Sequence, residues 1–350
     1  MSRPHDVACV VHLHSTYSDG TATVAEIAGS AARTGVEVVL LTDHDTLAAR
    51  RAGEEGWYGD VLVVVGQEVT PSGGHLLAFG LDEEVIHAGL DERAIARRVA
   101  AAGGLGFAAH AFSAGSSISL RVARAHGWPA LDEPSLTGME LWSLETDGLE
   151  RCASLREAAR MLWDPARALR MGPREGALAT WDRLSATRRL PAIGGLDAHQ
   201  KPGVRVRGRM RGPLAGDRVF GLLQTRVLLD APLPRDAATA ATAVHEALAA
   251  GRAYIAAEGL APAGGVAFWA EPQDPEGSAV PMGGEAPAGA YTLRARLPRA
   301  AELTLVADGA PVRTVHADAL DHAVSEAGVF RLEARLDGYA WILTNPVHLR

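Results

Sequence analysis

The chain has 350 residues, of which 47% are hydrophobic and 22% charged, a composition typical of a globular protein of about two domains. Its net charge of −8 argues against a general nucleic-acid binder, and no apolar run approaches the ~20 residues that cross a bilayer. With only two cysteines, a disulfide scaffold and a cysteine-rich zinc module are excluded. No secretory signal is expected at the N-terminus, so we predict a cytoplasmic protein.

The first two thirds of the chain alternate short β-like runs with helical patterns. Strands are predicted at 7–13, 37–41, 61–65, 76–79, 105–109, 138–142 and 192–196. Helices are predicted at 23–34, 91–102, 174–187 and 237–250. Strands that alternate with helices indicate an α/β fold with a mainly parallel sheet or barrel.

The character of the sequence changes after residue 257, where Gly and Pro become dense through residue 287. Four more strands are predicted at 291–297, 303–307, 329–336 and 340–343. We therefore predict two domains, an α/β domain over 1–257 and a small antiparallel, β-sandwich-like domain over 265–350. Residues 121–134 and 200–218 are predicted to be long loops, and loops of that length are often functional.

Histidine and acidic residues recur where the predicted strands end. His12 and His14 close the first strand, and because side chains alternate along a strand, both imidazoles face the same way. Asp197 and His199 repeat that spacing after the last strand. The carboxyl ends of parallel strands meet on one face, so these side chains are expected to converge. Imidazoles and carboxylates without thiolates favour Zn, Mn or Fe(II), and a carboxylate can bridge two metal ions.

Six motifs carry these residues in order along the chain. They are HLHSTYSDG (12–20), TDHDT (42–46), GQE (66–68), GHLLAFG (74–80), AAHAF (108–112) and GLDAH (195–199). Together they resemble the PHP (polymerase and histidinol phosphatase) superfamily of metal-dependent hydrolases over residues 1–257. The resemblance implies a distorted (β/α)7 TIM-like barrel with two or three divalent metal ions. The segment AWILTNP (340–346) resembles the carbaryl-hydrolase-like group of that superfamily, some of whose members cleave carbamate esters.

Carried over by position, the resemblance implies nine metal ligands. They are His12, His14, Asp19, His44, Glu68, His75, His110, Asp197 and His199. Glu68 would bridge two ions. One site would be completed by His12, His14 and Asp197, and a second by Asp19, His44 and His199. His75 and His110 would serve the remaining ion.

Some assignments leave alternatives open. Asp19 lies in Ser-Asp-Gly, where an Asp is often only a turn former. His75 begins its strand, so it reaches the metal face only if a hairpin interrupts the parallel order. Glu140 is a ligand, a hydrogen-bond partner of a histidine ring or a charge at a strand end, and we favour the second role. Asp43 and Asp45 are expected to orient loops rather than to bind metal. The other histidines, which fit no motif, are predicted on the surface: His5, His87, His126, His245, His316, His322 and His348.

A basic segment follows the last motif. Lys201 is the only lysine of the chain, and Arg205 begins an alternating series of arginines. Ammonium and guanidinium groups beside a metal site are suited to bind phosphate or carboxylate, so we predict that Lys201 and Arg205 stabilise an anionic substrate. The alternative is a solvated loop with no part in binding. Asp19 or His199, at the edge of the cluster, is predicted to handle protons.

Three functions compete. The leading hypothesis is a phosphoesterase that acts on a small anionic ester, a phosphomonoester or nucleotide, through a metal-activated hydroxide. A carbamate or carboxyl-ester hydrolase would use the same centre on a carbonyl carbon. A nuclease acting on short oligonucleotides is the third, although the negative net charge disfavours nucleic acid as a partner. No membrane partner is expected, and the sequence leaves the oligomeric state open.

Overall fold

The computed structural model describes residues 4–116, 118, 124–207 and 209–350, and it is a mixed α/β structure with one large sheet. The helices of these residues are α1 (Val24–Arg33), α2 (Ala48–Arg51), α3 (Glu92–Ala101), α4 (Leu144–Glu150), α5 (Leu155–Trp163), α6 (Arg167–Met171), α7 (Ala177–Ser185), α8 (Gly216–Val219) and α9 (Ala237–Ala249). The strands are β1 (His5–Val11), β2 (Val38–His44), β3 (Gly56–Tyr58), β4 (Val61–Val69), β5 (Leu76–Phe79), β6 (Leu105–Ala108), β7 (Gly138–Ser143), β8 (Ala192–Gly195), β9 (Val204–Val206), β10 (Arg209–Arg211), β11 (Gln224–Leu229), β12 (Ala253–Ala256), β13 (Ala267–Pro272), β14 (Val280–Pro281), β15 (Glu285–Ala286), β16 (Tyr291–Ala307), β17 (Ala310–Val324), β18 (Gly328–Leu336), β19 (Tyr339–Thr344) and β20 (Val347–Leu349).

The strands that lead to the candidate site are buried on both faces. Every residue of β4 is buried, and β2 is buried except at its last residue. Their continuous runs of Val and Leu are typical of strands that are covered on two sides. β1, β2 and β4 pair in parallel in that order, so their carboxyl ends meet at one edge of the sheet.

This parallel order is interrupted at β5. β5 is antiparallel to both β4 and β6, and β4 with β5 forms a hairpin. β6, β7 and β8 then continue in parallel. The beginning of β5 therefore lies at the same edge as the ends of β1, β2 and β4.

The first and last strands of this series approach each other without forming a ladder. Leu13 and Ala198 form one isolated parallel bridge. The N–H groups of Leu196 and Ala198 donate to the carbonyls of Val11 at 2.9 Å and His12 at 3.1 Å. β1 pairs with β2 through residues 9–11 and with antiparallel β11 through residues 5–9, and not with β8 in a ladder, so the sheet is not closed. The predicted (β/α)7 barrel is therefore not confirmed, although the strands expected for it are present.

Side-chain caps begin the helices that the sequence predicts correctly. Thr23 accepts from the N–H of Glu26, and the Glu26 carboxylate accepts from the N–H of Thr23, which makes a capping box at α1. Asp91 caps α3 and Asp236 caps α9. The helix predicted at 174–187 is shorter, because α7 begins after Gly176, whose φ of 76° is not helical. No helix in the described part of the chain is long and apolar enough to span a membrane.

The predicted loops contain regular structure. The 200–218 segment includes the β9–β10 hairpin and the short helix α8. The helices α4, α5 and α6 between β7 and β8 are likewise absent from the prediction. α4 has the acidic sequence LETDGLE, yet all of its residues are buried. A sequence without a hydrophobic period gives no sign of such a buried helix. Residues 121–123 of the loop predicted at 121–134 lie outside the described residues.

The C-terminal strands belong to the same sheet, because β12 pairs antiparallel with β19. The strands predicted at 291–297 and 303–307 form the single strand β16, with an irregular register between Arg296 and Ala301. The prediction missed β17, of whose residues only Leu320 is buried, since a half-exposed edge strand gives a weak apolar pattern. The division into domains at 257–265 stays a prediction.

Asn345 joins two distant strands through its buried side chain. Its Oδ1 accepts from the N–H of Ala192 at 2.7 Å. Its Nδ2 donates to the carbonyls of Ala192 at 3.0 Å and Ala253 at 2.8 Å. The side chain therefore satisfies backbone groups of β8 and β12 that no water reaches.

We predict that Asn345→Ala lowers the free energy of unfolding by about 3 kcal/mol, because it leaves these buried backbone groups without partners. Urea unfolding followed by circular dichroism measures the change. Thr314→Ala, which removes an exposed hydrogen bond to Thr304, is the control and should cost less than ~0.5 kcal/mol. Equal losses in the two variants would contradict the role of Asn345.

Candidate metal centre

The nine side chains that the motifs single out come together at the carboxyl edge of the sheet. Their potential ligand atoms form four overlapping groups, within each of which all atoms lie within 4.8 Å of one another. The groups are His14, Asp19, His44 and His199; His12, His110 and Asp197; His12, His14 and Glu68; and Glu68, His75 and His110. We call these nine residues the nine-residue cluster. The first group differs from the set implied by the resemblance, because it also includes His14.

Glu68, the last residue but one of β4, is the carboxylate that most imidazoles face. Its Oε1 lies 3.4 Å from His12 Nε2, 3.0 Å from His75 Nδ1 and 3.3 Å from His110 Nε2. Its Oε2 lies 3.4 Å from His14 Nε2 and 2.9 Å from His44 Nδ1. Its side chain is 1% exposed, so these imidazoles take the place that water would occupy.

Asp197, which follows β8, faces the same space as Glu68. Its Oδ1 lies 3.4 Å from the Nε2 atoms of both His12 and His14, and 3.6 Å from His199 Nδ1. The hydroxyl of Thr146, in α4, donates to Oδ2. Thr146 belongs to no motif, and its contribution depends on a helix that the sequence did not predict.

Asp19 forms the solvent-exposed rim of the cluster. Its Oδ1 lies 3.4 Å from His44 Nε2 and 3.1 Å from His199 Nε2, and its side chain is 51% exposed. Lys201 Nζ donates to Oδ2 at 2.9 Å. The rim therefore carries an ion pair, whose ammonium group lies next to the ligand-rich interior.

The hairpin of β4 and β5 explains how His75 reaches the cluster. His75 precedes β5, and because β5 runs antiparallel to its neighbours, its beginning lies at the edge where the other strands end. The ring of His75 is 5.0 Å from that of His110, measured between centroids. The hairpin condition set by the sequence is therefore met.

Asp43 holds the turn that carries Asp19. Its carboxylate accepts from the N–H of Ser15 at 2.7 Å, from Ser15 Oγ at 2.6 Å and from Ser18 Oγ at 2.6 Å. Asp45 in the same way accepts from the N–H of Thr70 at 3.0 Å. The prediction that both residues orient loops is confirmed.

Glu140 lies beneath the cluster in β7. Its Oε1 is 3.1 Å from His12 Nδ1, and its side chain is fully buried. Of the three roles left open for Glu140, the structure has the carboxylate in contact with a histidine ring nitrogen.

His126 was predicted on the surface but is partly buried against the cluster. Its ring stacks on that of His75 with 4.3 Å between centroids, and its Nδ1 lies 3.3 Å from the carbonyl of Gly73. His348 was also predicted on the surface and is 2% exposed. Neither residue follows a strand in a motif, so the sequence offers no signal for its position.

The two predicted substrate-binding cations differ in position. Lys201 contacts the cluster through Asp19. The guanidinium of Arg205 instead pairs with Glu26, with Nε 2.8 Å from Oε1, and donates to the carbonyl of Thr21 at 2.8 Å. The β9–β10 hairpin thus begins at the rim, while Arg205 is held at the start of α1.

Both interior carboxylates stay ionised despite their burial. Burial alone would raise the pKa of Glu68, but the imidazoles of His12 and His75 lower it well below its usual range. The pKa of Asp197 is also lowered against its burial, by His12 and by the hydrogen bond with His14. The interior therefore holds two negative charges that require positive partners.

The imidazoles respond to these charges in opposite directions. Burial disfavours the protonated ring of His12, yet the carboxylates of Glu140, Glu68 and Asp197 raise its pKa well above the usual value. Glu68 likewise raises the pKa of His44 to about 9 against its burial. For His14, burial and nearby His199 lower the pKa to about 3. The cluster thus attracts positive charge, which an imidazolium or a divalent cation can supply.

The buried nitrogen atoms fit a metal. His12 Nε2, both ring nitrogens of His14 and Glu68 Oε2 are buried without a hydrogen-bond partner. When the ring of His12 is neutral and Glu140 accepts its Nδ1 proton, the Nε2 lone pair faces two carboxylate oxygens at 3.4 Å. Three electron-rich atoms with no hydrogen between them repel one another, and a cation among them removes the repulsion.

No family model matches the chain. Phosphoribosyl 1,2-cyclic phosphate 1,2-diphosphodiesterase of Eggerthella lenta is 39% identical over 80 residues, which are 21% of this chain and 30% of that protein. The match thus spans less than a third of the length of that curated relative.

Among solved structures, the chain is similar to a two-domain protein from Bacteroides vulgatus that contains a predicted PHP-like metal-dependent phosphoesterase. The identity is 16%, the coverage 98% of this chain and 95% of that one, and the TM-score 0.44. A candidate metal-dependent phosphoesterase from Bifidobacterium adolescentis is 18% identical, with coverage of 60% and 94% and a TM-score of 0.32. At these values the likeness says nothing about the roles of residues.

We predict that Zn²⁺ binding at pH 7.5 releases at least one proton. The pKa of His44 is raised to about 9, so its ring is protonated at that pH in the metal-free protein and must lose a proton to coordinate. The pKa of His12 is also raised against its burial, well above its usual value, by the carboxylates around it, so its ring adds to the release wherever it is protonated. His14 is already neutral and releases none. Above pH 9 the release should fall, because His44 is then deprotonated before metal binds. Calorimetric titration in two buffers of different ionisation enthalpy counts the protons, and a heat independent of buffer would contradict this prediction.

Proposed function

We propose that the chain is a metal-dependent phosphoesterase whose centre is the nine-residue cluster. The convergence of imidazole nitrogens and carboxylate oxygens in one buried space carries this proposal. The partial similarity to a phosphodiesterase supports the same chemistry. Two or three divalent ions, Zn, Mn or Fe, suit such a donor set, since it contains no thiolate.

Glu68 would bridge two ions, because its two oxygens face different sets of imidazoles. His12, His14 and Asp197 would hold one ion, and Asp19, His44 and His199 a second. His75 and His110, which both face Glu68 Oε1, would hold a third. When bound, such ions supply a Lewis acid for the phosphoryl group and a hydroxide from water near neutral pH.

The chain's own groups at the rim would orient the substrate. Lys201 Nζ is held 2.9 Å from Asp19 Oδ2 and is 37% exposed, so it can donate to a non-bridging phosphoryl oxygen. His199 and Lys201 lower the pKa of Asp19 well below its usual range against partial burial. Asp19 therefore stays ionised and serves to position Lys201 and His199 rather than to carry a proton.

The rim supports the proposed substrate class. A small phosphomonoester or nucleotide brings the negative charge that the partly exposed ammonium group of Lys201 would complement. A carbamate or carboxyl ester needs the same centre but no cation at the rim.

The cytoplasmic location stays a prediction.

We predict that Asp197→Asn lowers phosphatase activity by more than about 100-fold, because loss of a direct ligand exceeds the ~10–100-fold effect of an outer partner. Mn²⁺- and Zn²⁺-loaded proteins are assayed on p-nitrophenyl phosphate, bis-p-nitrophenyl phosphate, nucleotides, naphthyl acetate and a naphthyl carbamate. Turnover of the acetate or carbamate alone would contradict the phosphoesterase proposal. Full phosphatase activity in the variant would contradict the proposed centre.

We predict that Lys201→Gln lowers kcat/KM for p-nitrophenyl phosphate by about 100-fold, the effect of removing one donor to a developing oxyanion. Arg205→Gln is the matched control, since its guanidinium is engaged by Glu26 and Thr21, and it should change kcat/KM less than about threefold. A larger loss from the arginine variant would instead assign substrate binding to the hairpin.

A further inference from the structure

Glu140 contacts two members of the nine-residue cluster in different ways. Both of its oxygens lie near His12 Nδ1, at 3.1 Å and 3.2 Å. Its Oε2 also accepts the backbone N–H of His110. One carboxylate in β7 therefore joins the end of β1 to the end of β6.

These contacts fix both the ring and the backbone of candidate ligands. A proton on His12 Nδ1 leaves the lone pair on Nε2, which faces Glu68 and Asp197. The bond to His110 holds the backbone at a residue with φ of 28°, a conformation that side-chain-bearing residues rarely adopt. His12 and His110 lie together in one metal group and separately in two others.

We propose that Glu140 is a positioning residue that makes the metal groups of His12 and His110 depend on one another, and that Gly195 is required because it gives this carboxylate its space. The proposal rests on the proposed function, since it concerns the same centre. It goes beyond it by assigning a role to two residues outside the ligand set.

The space argument is geometric. A Cβ atom built on Gly195 would lie 1.8 Å from Glu140 Oε1 and 2.9 Å from Glu140 Cδ, distances that real Cβ atoms do not show. It would also lie 3.1 Å from His12 Cβ. Gly195 is the last residue of β8 and the first residue of the motif that contains Asp197 and His199. The steric conflict explains why this position of the motif is a glycine.

A substitution at Gly195 should therefore affect metal binding mainly by displacing the Glu140 carboxylate. Glu140→Ala removes the acceptor for both donors, and Glu140→Gln replaces one oxygen with an amide that opposes a donor. Gly195→Ala expels the carboxylate without changing it. In the Glu140→Ala background there is no carboxylate to expel and only the 3.1 Å contact with His12 Cβ remains, so the second change should cost less than it does in the wild-type chain.

The test is a double-mutant cycle on metal binding by the full chain. Co²⁺ affinity is measured by calorimetry, the number of retained ions by mass spectrometry, and ligand geometry by visible absorption of Co²⁺. We expect Glu140→Gln, Glu140→Ala and Gly195→Ala each to weaken Co²⁺ binding by ~10–100-fold and to change the absorption, with loss of more than one ion after dialysis. The loss of Co²⁺ affinity in the double variant should be smaller than the two single losses combined.

Glu133→Gln is the matched control. Glu133 is also buried, at 2% exposure, but it pairs with Arg97 at 2.8 Å and contacts no member of the cluster, so Co²⁺ binding should be unchanged. Wild-type affinity in Glu140→Ala would overturn the inference. The inference would also be overturned if Gly195→Ala weakened Co²⁺ binding as strongly in the Glu140→Ala background as in the wild-type chain, or if the single variants lost only one ion. A wild-type chain that binds no Co²⁺, Zn²⁺ or Mn²⁺ would overturn the proposed function itself, a result distinct from any difference among variants.

Discussion

The burial of two ionised carboxylates in one space is the constraint on which the centre depends. Glu68 is 1% exposed and Asp197 14%, and neither has a lysine or arginine as a partner among the described residues. Ions in such surroundings cost several kcal/mol each unless positive charge compensates them. Here the positive charge comes from histidines, whose protonation depends on pH. A histidine gives up its proton when a metal ion takes its place. Affinity for cations is thus a consequence of how the sheet edge is packed.

A second layer of polar side chains keeps this arrangement in place. Asp43 fixes the turn before Asp19, Thr146 fixes Asp197, and Glu140 fixes His12. These contacts act at the ends of β1 and β8, so the ligands there are oriented by side chains outside the set that would touch an ion.

The sequence predicted which residues form the nine-residue cluster better than it predicted the residues around them. The rings of His12 and His14 do come together, with 5.3 Å between their centroids. The predicted strand at 7–13 is too long, however, because β1 ends at Val11 and His12 has a φ of 65°, so a turn of the backbone rather than strand alternation presents the two rings. The placement of His75 depended on a hairpin that short-range pattern does not reveal. His126, Thr146 and the ion pair of Arg205 arise from contacts between segments far apart in sequence, which periodicity does not encode. The open sheet and the edge strand β17 were missed for the same reason.

The side chain of Asn345 has a consequence for the order in which the molecule assembles. It satisfies both backbone groups of Ala192, from which it is separated by 153 positions. β8 leads directly into Asp197 and His199, so the strand that presents these two residues completes its hydrogen bonds only when a much later segment has arrived. Contacts between residues so far apart in sequence form slowly. We therefore expect the edge that carries the cluster to become ordered late in folding, together with the C-terminal strands.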